Sequence, residues 1–220
     1  NPFYNRATQE KTAPGSTFKM VSAVAGLTEG VINSGSSFYC DGTFTEVTPS
    51  PKCWIYPSGH GYLNVVGGLQ NSCNEFFYNV GYSLGMTDNG TYDSETGIEK
   101  LAKYASMFGL SEKSGVEIPE SAPQISDEYA VQSAIGQGTN NYTVSQLNRY
   151  VTAVANSGTV YDLTLIDKTT DSNGNLIKDY QAEVISTMDE VSSSTWDLVH
   201  EGMQRMVDNS ATFTGLDFDM

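Results

Sequence analysis

The sequence predicts one mixed α/β (α+β) domain over residues 1–220, rich in helices and carrying an antiparallel hairpin. Apolar residues occupy 39% of the 220 positions, which is enough for the core of one domain. Helical periodicity recurs in six segments, and the period changes to that of strands after residue 160. No stretch approaches the roughly 18 uninterrupted apolar residues of a membrane span.

The first predicted helix covers residues 16–29, begins after Pro14-Gly15 and ends at Gly30. Apolar side chains lie almost all round it, so we expect it to be buried. Apolar residues at helical spacing predict further helices at residues 65–70, 75–84, 97–108, 143–156 and 194–207.

Strand patterns are shorter. Residues 38–40 and 53–56 are predicted as short extended pieces, and residues 1–13 as a loop. Residues 160–169 and 176–185 are predicted to be strands on either side of Asp171-Ser172-Asn173-Gly174, a typical hairpin turn.

The charge balance excludes one class of partner. The chain holds 26 acidic and 11 basic residues, a net charge of −15. Such a field repels phosphate backbones, so nucleic-acid binding is not expected. Because only 17% of residues are charged, the chain is not a disordered acidic tail.

Ser16-Thr17-Phe18-Lys19 places a serine and a lysine three residues apart at the start of the buried helix. Residues at this spacing are neighbours, so the Lys19 amine can reach the Ser16 hydroxyl. Apolar surroundings lower a lysine's pKa, and a neutral amine can then accept the serine proton. The alternative is that Ser16 caps the helix and Lys19 extends to solvent.

The run Asn5-Arg6-Ala7-Thr8-Gln9, followed by Pro14-Gly15-Ser16-Thr17-Phe18-Lys19-Met20, closely resembles the nucleophile segment of penicillin-binding proteins. Ser72-Cys73-Asn74, 56 residues after Ser16, matches the S-x-N form of that family's second motif. Further segments, among them Ala134-Ile135-Gly136-Gln137-Gly138, follow in the expected order, and the type is closest to the high-molecular-weight class B proteins.

The resemblance implies a penicillin-binding/β-lactamase-like serine acyltransferase fold and a peptidoglycan D,D-transpeptidase activity. Ser16 would be the nucleophile, Lys19 the general base, Ser72 a proton relay and Asn74 a substrate anchor. D-Ala-D-Ala stem peptides would be substrates and β-lactams covalent inhibitors, with no metal and no cofactor. The setting would be the extracytoplasmic face of a bacterial cytoplasmic membrane, among the cell-wall synthesis machinery.

Three alternatives stay open. A D,D-carboxypeptidase or β-lactamase would pass the acyl group to water, and a β-lactam sensor would be acylated without turnover. A purely structural acidic domain would not depend on Ser16 at all.

The family's third motif, K-T-G, has one candidate here, Lys113-Ser114-Gly115. It lies in a region that corresponds to the family's surface, so we interpret it as incidental. The true motif is expected beyond Met220 and the first core strands before Asn1. The chain is therefore interpreted as a fragment with an incomplete central sheet, whose activity by itself is in doubt.

Cys40, Cys53, His60 and Cys73 are separated by 13, 7 and 13 residues. These spacings match no common zinc motif, so no metal ligands are predicted. Free thiols, a Cys40–Cys53 disulfide and a zinc site all stay open.

Overall fold

A computed structural model describes residues 3–210 of the chain. Its helices are α1 (Arg6–Gln9), α2 (Lys19–Thr28), α3 (Val65–Gln70), α4 (Asn74–Leu84), α5 (Ser94–Met107), α6 (Ala130–Ser133), α7 (Val144–Ala155) and α8 (Ser193–Asn209). A 3-10 turn over Gly15–Phe18 leads directly into α2.

The strands pair antiparallel in four two-stranded sheets, and residues 3–210 contain no larger one. The pairs are β1 (Lys11–Thr12) with β4 (Tyr142–Thr143), β2 (Phe38–Cys40) with β3 (Gly61–Leu63), β5 (Thr159–Tyr161) with β8 (Val184–Thr187), and β6 (Lys168–Thr170) with β7 (Leu176–Asp179). The predicted helix-rich mixed class is confirmed.

All six predicted helices are present, with ends within three residues of the prediction. Helix α5 begins earliest relative to expectation, because the Asp93 carboxylate accepts from the backbone N–H groups of Glu95 and Thr96 and caps the helix there. Helix α7 begins with a capping box between Thr143 and Gln146, which fixes its start at Val144.

The strand predictions hold in part. The hairpin at 171–174 is confirmed, but both predicted strands are divided. Residues 160–169 are divided between β5 and β6 and residues 176–185 between β7 and β8, so that β6 pairs with β7 and β5 with β8. Residues 53–56 form a turn and not an extended piece. The predicted loop 1–13 contains α1 and β1, because β1 finds a partner in β4, about 130 residues away in sequence.

Helix α2 lies in the core: Val21, Ala23, Val24 and Ala25 are fully buried. It packs against α4, α5 and α8, so the segment that follows Ser16 is enclosed by helices. Within residues 3–210 no helix combines the length and the apolar character that crossing a membrane requires. Residues 211–220, which precede the expected position of the third motif, lie outside the described range.

Candidate active site

The turn that carries Ser16 is held by two distant groups. The Gly15 N–H donates to the Gly136 carbonyl at 3.2 Å, and the Tyr150 hydroxyl donates to the Thr17 carbonyl at 2.7 Å. Gly136 has φ of +73°, and a β-carbon there would overlap the Gly15 carbonyl oxygen. Only glycine therefore allows this close approach of the two chains.

Lys19 is buried beside Ser16, with 1% of its surface exposed. Its Nζ lies 3.2 Å from Ser16 Oγ, 3.0 Å from Ser72 Oγ, 2.7 Å from the Ser72 carbonyl oxygen and 2.7 Å from Asn74 Oδ1. The three residues that the resemblance assigns to catalysis, together with the assigned substrate anchor, thus meet at one atom. The alternative in which Lys19 reaches solvent is wrong. Ser16 does not cap the helix either, because the N-cap positions of the 3-10 turn and of α2 are Pro14 and Phe18.

Burial lowers the pKa of Lys19 to about 8, because the charged ammonium loses its hydration. The thiols of Cys73 and Cys53 oppose part of this shift when they carry negative charge. About a tenth of Lys19 is therefore neutral at pH 7.

Four oxygens surround Lys19 Nζ, which is the donor to each of them. Two of them, the Ser72 carbonyl and Asn74 Oδ1, can only accept, and both lie at 2.7 Å. When the amine is neutral it has one lone pair, which can accept from the hydroxyl of Ser16 or from that of Ser72. Lys19 can therefore accept a proton from either serine.

The second motif lies in a sharp turn between α3 and α4. Ser72 has φ of +46°, an unusual backbone conformation for a serine. The Ser72 N–H donates to the Leu69 carbonyl, and the Trp54 indole N–H donates to the Ser72 carbonyl at 3.1 Å. The turn aims both the carbonyl and the hydroxyl of Ser72 at Lys19.

A cavity of about 260 Å³ opens over the two serines. Its lining is Ser16, Thr17, Lys19, Met20, Leu69, Ser72, Met203, Met206 and Val207. The last three residues come from α8, whose Gly202 lets the helix pack closely on Leu69. None of these lining residues carries a carboxylate. A larger cavity of about 570 Å³ lies next to it and shares Met203, but it contains none of the four predicted site residues.

The third-motif candidate takes no part in this lining. The Ser114 N–H and hydroxyl donate to the Glu120 carboxylate at 2.7 and 2.8 Å, and the Ser114 carbonyl accepts from the Leu163 N–H. Ser114 is thus engaged in a buried polar network away from the cavity, while Lys113 and Gly115 are exposed.

Cys40, Cys53, His60 and Cys73 form a cluster directly behind the second motif, and none of the three thiols is in a disulfide. Their potential ligand atoms all lie within 4.8 Å of one another. The hydrogen bond from Cys73 lowers the pKa of Cys53 below that of a free thiol, and the same bond raises the pKa of Cys73. These four side chains can hold a metal ion, although their spacing in sequence predicted none.

Sequence reasoning found the four polar residues of the site but not their supports. The roles of Gly136, Tyr150 and the α8 methionines depend on contacts between distant segments. The one sequence signal for these supporting residues was the segment that contains Gly136, which formed part of the family resemblance but was assigned no role.

Comparisons with known proteins show the family of the chain. A penicillin binding protein transpeptidase domain profile matches residues 1–218. Stage V sporulation protein D of Bacillus subtilis is 30% identical over 156 residues, which is 67% of this chain and 22% of that protein. Peptidoglycan D,D-transpeptidase MrdA of Escherichia coli is 26% identical over 220 residues, 92% of this chain and 32% of that protein.

Among solved structures, a peptidoglycan synthase complex that coordinates polymerization and crosslinking shares the fold, with a TM-score of 0.77 and 23% identity. The match covers 98% of this chain and 36% of that one. The chain thus spans between a fifth and a third of the length of the two curated relatives. With a matching profile over nearly all its length and the Ser16–Lys19–Ser72 geometry in place, the chain belongs to the penicillin binding protein transpeptidase domain family.

Proposed function

We propose that the protein is a peptidoglycan D,D-transpeptidase that works through an acyl-enzyme on Ser16. The observation that carries the proposal is the position of Lys19: its Nζ lies buried within 3.2 Å of Ser16 Oγ and 3.0 Å of Ser72 Oγ. A base between two hydroxyls can activate one and exchange a proton with the other. The name of one curated relative, peptidoglycan D,D-transpeptidase MrdA, supports the substrate class.

In the acylation step, neutral Lys19 takes the proton of Ser16 as Oγ attacks the penultimate carbonyl of a D-Ala-D-Ala stem peptide. The Ser16 N–H, on the first turn of the 3-10 segment, stabilises the resulting oxyanion as one of its donors. The proton passes from Lys19 through the Ser72 hydroxyl to the nitrogen of the departing D-Ala. The acyl group is then an ester on Ser16, and Lys19 is neutral again.

In the transfer step, an amine from a neighbouring stem peptide attacks the ester and gives its proton back through Ser72 and Lys19 to Ser16 Oγ. Asn74 anchors the backbone of the stem peptide beside the reacting carbonyl.

We extend the proposal to the protein's setting. Its substrate lies outside the cytoplasmic membrane, so the domain works on the extracytoplasmic face. The solved peptidoglycan synthase complex supports partners that polymerise peptidoglycan.

The test is the intact mass of the protein, as its gene encodes it, after incubation with a penicillin. A β-lactam resembles the D-Ala-D-Ala substrate and traps the acyl-enzyme, so we expect one penicilloyl group per chain. Ser16→Ala should carry no penicilloyl group. Ser22→Ala is the matched control and should still be acylated, because Ser22 lies on the buried side of α2, where its hydroxyl donates to the Ala134 carbonyl at 2.7 Å. An adduct that persists in Ser16→Ala would contradict the proposal.

A second measurement separates transfer from hydrolysis and sensing. The protein is given a stem pentapeptide with and without an acceptor amine such as a free D-amino acid. A transpeptidase should form the exchanged peptide. Release of the tetrapeptide alone would identify a carboxypeptidase, and a stable adduct without either product would identify a sensor.

A further inference from the structure

A further cavity of about 260 Å³ adjoins the one over the two serines and shares Ser72 with it. Its first wall is Trp54 together with Gln70 and Asn71, which come just before Ser72 in the chain. Its second wall is the C-terminal end of α8 around Asn209. The cavity therefore begins at the second motif and extends away from the nucleophile.

The Trp54 side chain is exposed and yet fixed. Of its surface 62% is accessible, while its indole N–H donates to the Asn71 and Ser72 carbonyls at 3.2 and 3.1 Å. Single exposed apolar residues are common and need no explanation. An aromatic face that hydrogen bonds hold beside a cavity is a different case, because its orientation is set before any ligand arrives.

The surroundings of this aromatic face carry no charge. Residues 53–74 are 22 consecutive positions without Asp, Glu, Lys or Arg, in a chain of which 17% is charged. The described residues that line the cavity are uncharged as well. A site for a carboxylate, phosphate or ammonium group would offer an opposite charge. The cavity therefore suits a neutral ligand.

Amide side chains supply the polar part of the cavity. Asn71 Nδ2 donates to the Gly67 carbonyl at 2.9 Å, and Asn209 Nδ2 donates to the Arg205 carbonyl at 2.8 Å. Both amide oxygens accept from no described residue, so they can accept from a ligand. Gln70 adds a third amide. This combination suits a sugar, whose ring C–H groups pack on the aromatic face while its hydroxyl and acetamido groups bond to the amides.

We propose that Trp54, Gln70, Asn71 and Asn209 bind an amino-sugar ring of a β-1,4-linked glycan strand, the part of peptidoglycan that carries the stem peptide. The inference rests on the proposed function and deepens it, because it assigns the sugar part of the same substrate. A stem peptide carries carboxylates, which are costly to desolvate against uncharged walls, so the sugar is the better occupant.

The distance to the nucleophile fits a stem peptide that joins the two sites. Trp54 Nε1 is linked to Ser16 Oγ through the Ser72 carbonyl oxygen and Lys19 Nζ, by contacts of 3.1, 2.7 and 3.2 Å. The indole nitrogen is therefore no more than about 9 Å from the nucleophile, and three extended residues span about 10 Å. In a stem pentapeptide three residues precede the reacting one. The sugar can thus lie on Trp54 while the fourth residue reaches Ser16.

The binding test is a calorimetric titration of the protein, as its gene encodes it, with the β-1,4-linked tetramer of N-acetylglucosamine, which contains no peptide. We expect saturable binding that Trp54→Ala weakens about tenfold and Trp54→Phe, which keeps an aromatic face, weakens less. Tyr4→Ala is the matched control, because Tyr4 is an exposed aromatic residue before α1, and it should bind normally. Equal affinity in Trp54→Ala and the unaltered protein would overturn the proposal.

Because Trp54→Ala also removes the hydrogen bonds to the second motif, a second measurement uses only the unaltered protein. N-bromosuccinimide oxidises accessible tryptophan, and mass spectrometry of peptides reports each position separately. Trp54 is 62% exposed and Trp196 is 5% exposed, so oxidation should begin at Trp54. The tetramer should slow oxidation of Trp54 and leave Trp196 unaffected. If the stem pentapeptide protects Trp54 and the tetramer does not, the occupant is peptide and the sugar site is refuted.

Turnover separates this inference from the proposed function. We expect kcat/KM to be about tenfold higher for a stem pentapeptide attached to its disaccharide than for the free pentapeptide, and the two values to be equal in Trp54→Ala. The ratio isolates the sugar, since a disturbance of Ser72 lowers both values alike. A ratio that persists in Trp54→Ala would refute the sugar site. A protein that binds the tetramer at Trp54 but turns over neither peptide would contradict the proposed function and leave the sugar site standing.

Discussion

The rate of acylation should rise with pH, because it depends on the fraction of Lys19 that is neutral. Burial lowers its pKa to about 8, and only the neutral amine can accept the Ser16 proton. A group with this pKa is neutral in about 1% of molecules at pH 6, about 10% at pH 7, about 50% at pH 8 and about 90% at pH 9. The rate should therefore rise about tenfold from pH 6 to 7 and about twofold from pH 8 to 9.

The assay is stopped-flow acylation by a fluorescent penicillin, with the second-order rate constant measured from pH 6 to 9.5. Lys103→Ala serves as control, because Lys103 is half-exposed on α5 and pairs with Glu29 at 3.3 Å, so it should leave the profile unchanged. A rate independent of pH over this range, or one that still climbs tenfold per unit above pH 9, would refute the assignment of Lys19 as the base.

Three substitutions and one control, Gly30→Ala, test the remaining geometry. Ser72→Ala should slow acylation about 10²-fold with the fold intact, because the proton relay is lost while Ser16 stays in place; a rate within twofold of the unaltered protein would argue against the relay. Gly136→Ala and Gly30→Ala both place alanine at φ near +70°, but only the β-carbon at position 136 meets a backbone oxygen. Chemical denaturation should therefore show that Gly136→Ala lowers the free energy of unfolding by about 1–3 kcal/mol more than Gly30→Ala does. Equal losses of stability in the two variants would contradict the close approach of the Gly15 and Gly136 backbones. Tyr150→Phe should cost about 1 kcal/mol through its lost hydrogen bond, measured in the same experiment, and no change would show that the bond is not formed.

Six of the eight helices within residues 3–210 were predictable because their signals are local, whereas the four-residue helices α1 and α6 were not predicted. Apolar periodicity and the glycine at position 30 placed α2 correctly, and α3 agrees with its predicted residues throughout. The short strands were not predictable from local sequence, since β1 contains two residues and forms only because β4 lies beside it. The same applies to β5, whose partner β8 follows more than 20 residues later, beyond the hairpin that the turn sequence predicts.

The residues of the site also divide into those whose contacts follow from local sequence and those whose contacts do not. Ser16 and Lys19 are three residues apart on one helical segment, so their contact follows from helix geometry. Ser72 and Asn74 were found only through the family's motif, because nothing local indicates that they face Lys19.

The cysteine cluster shows a limit of spacing rules. Those rules describe ligands presented by one compact turn, whereas Cys40, Cys53 and Cys73 arrive from a strand end, a loop and a helix cap. Sequence separation therefore does not report the distances between their sulfurs.

The most direct test of the account is to map where a penicillin binds. Trypsin cleaves after Lys11 and Lys19, so the acylated protein should yield a modified peptide of residues 12–19, and fragmentation should place the penicilloyl group on Ser16. Modification of Thr12 or Thr17 in that peptide, or of any other peptide in its place, would contradict the identification of Ser16 as the nucleophile.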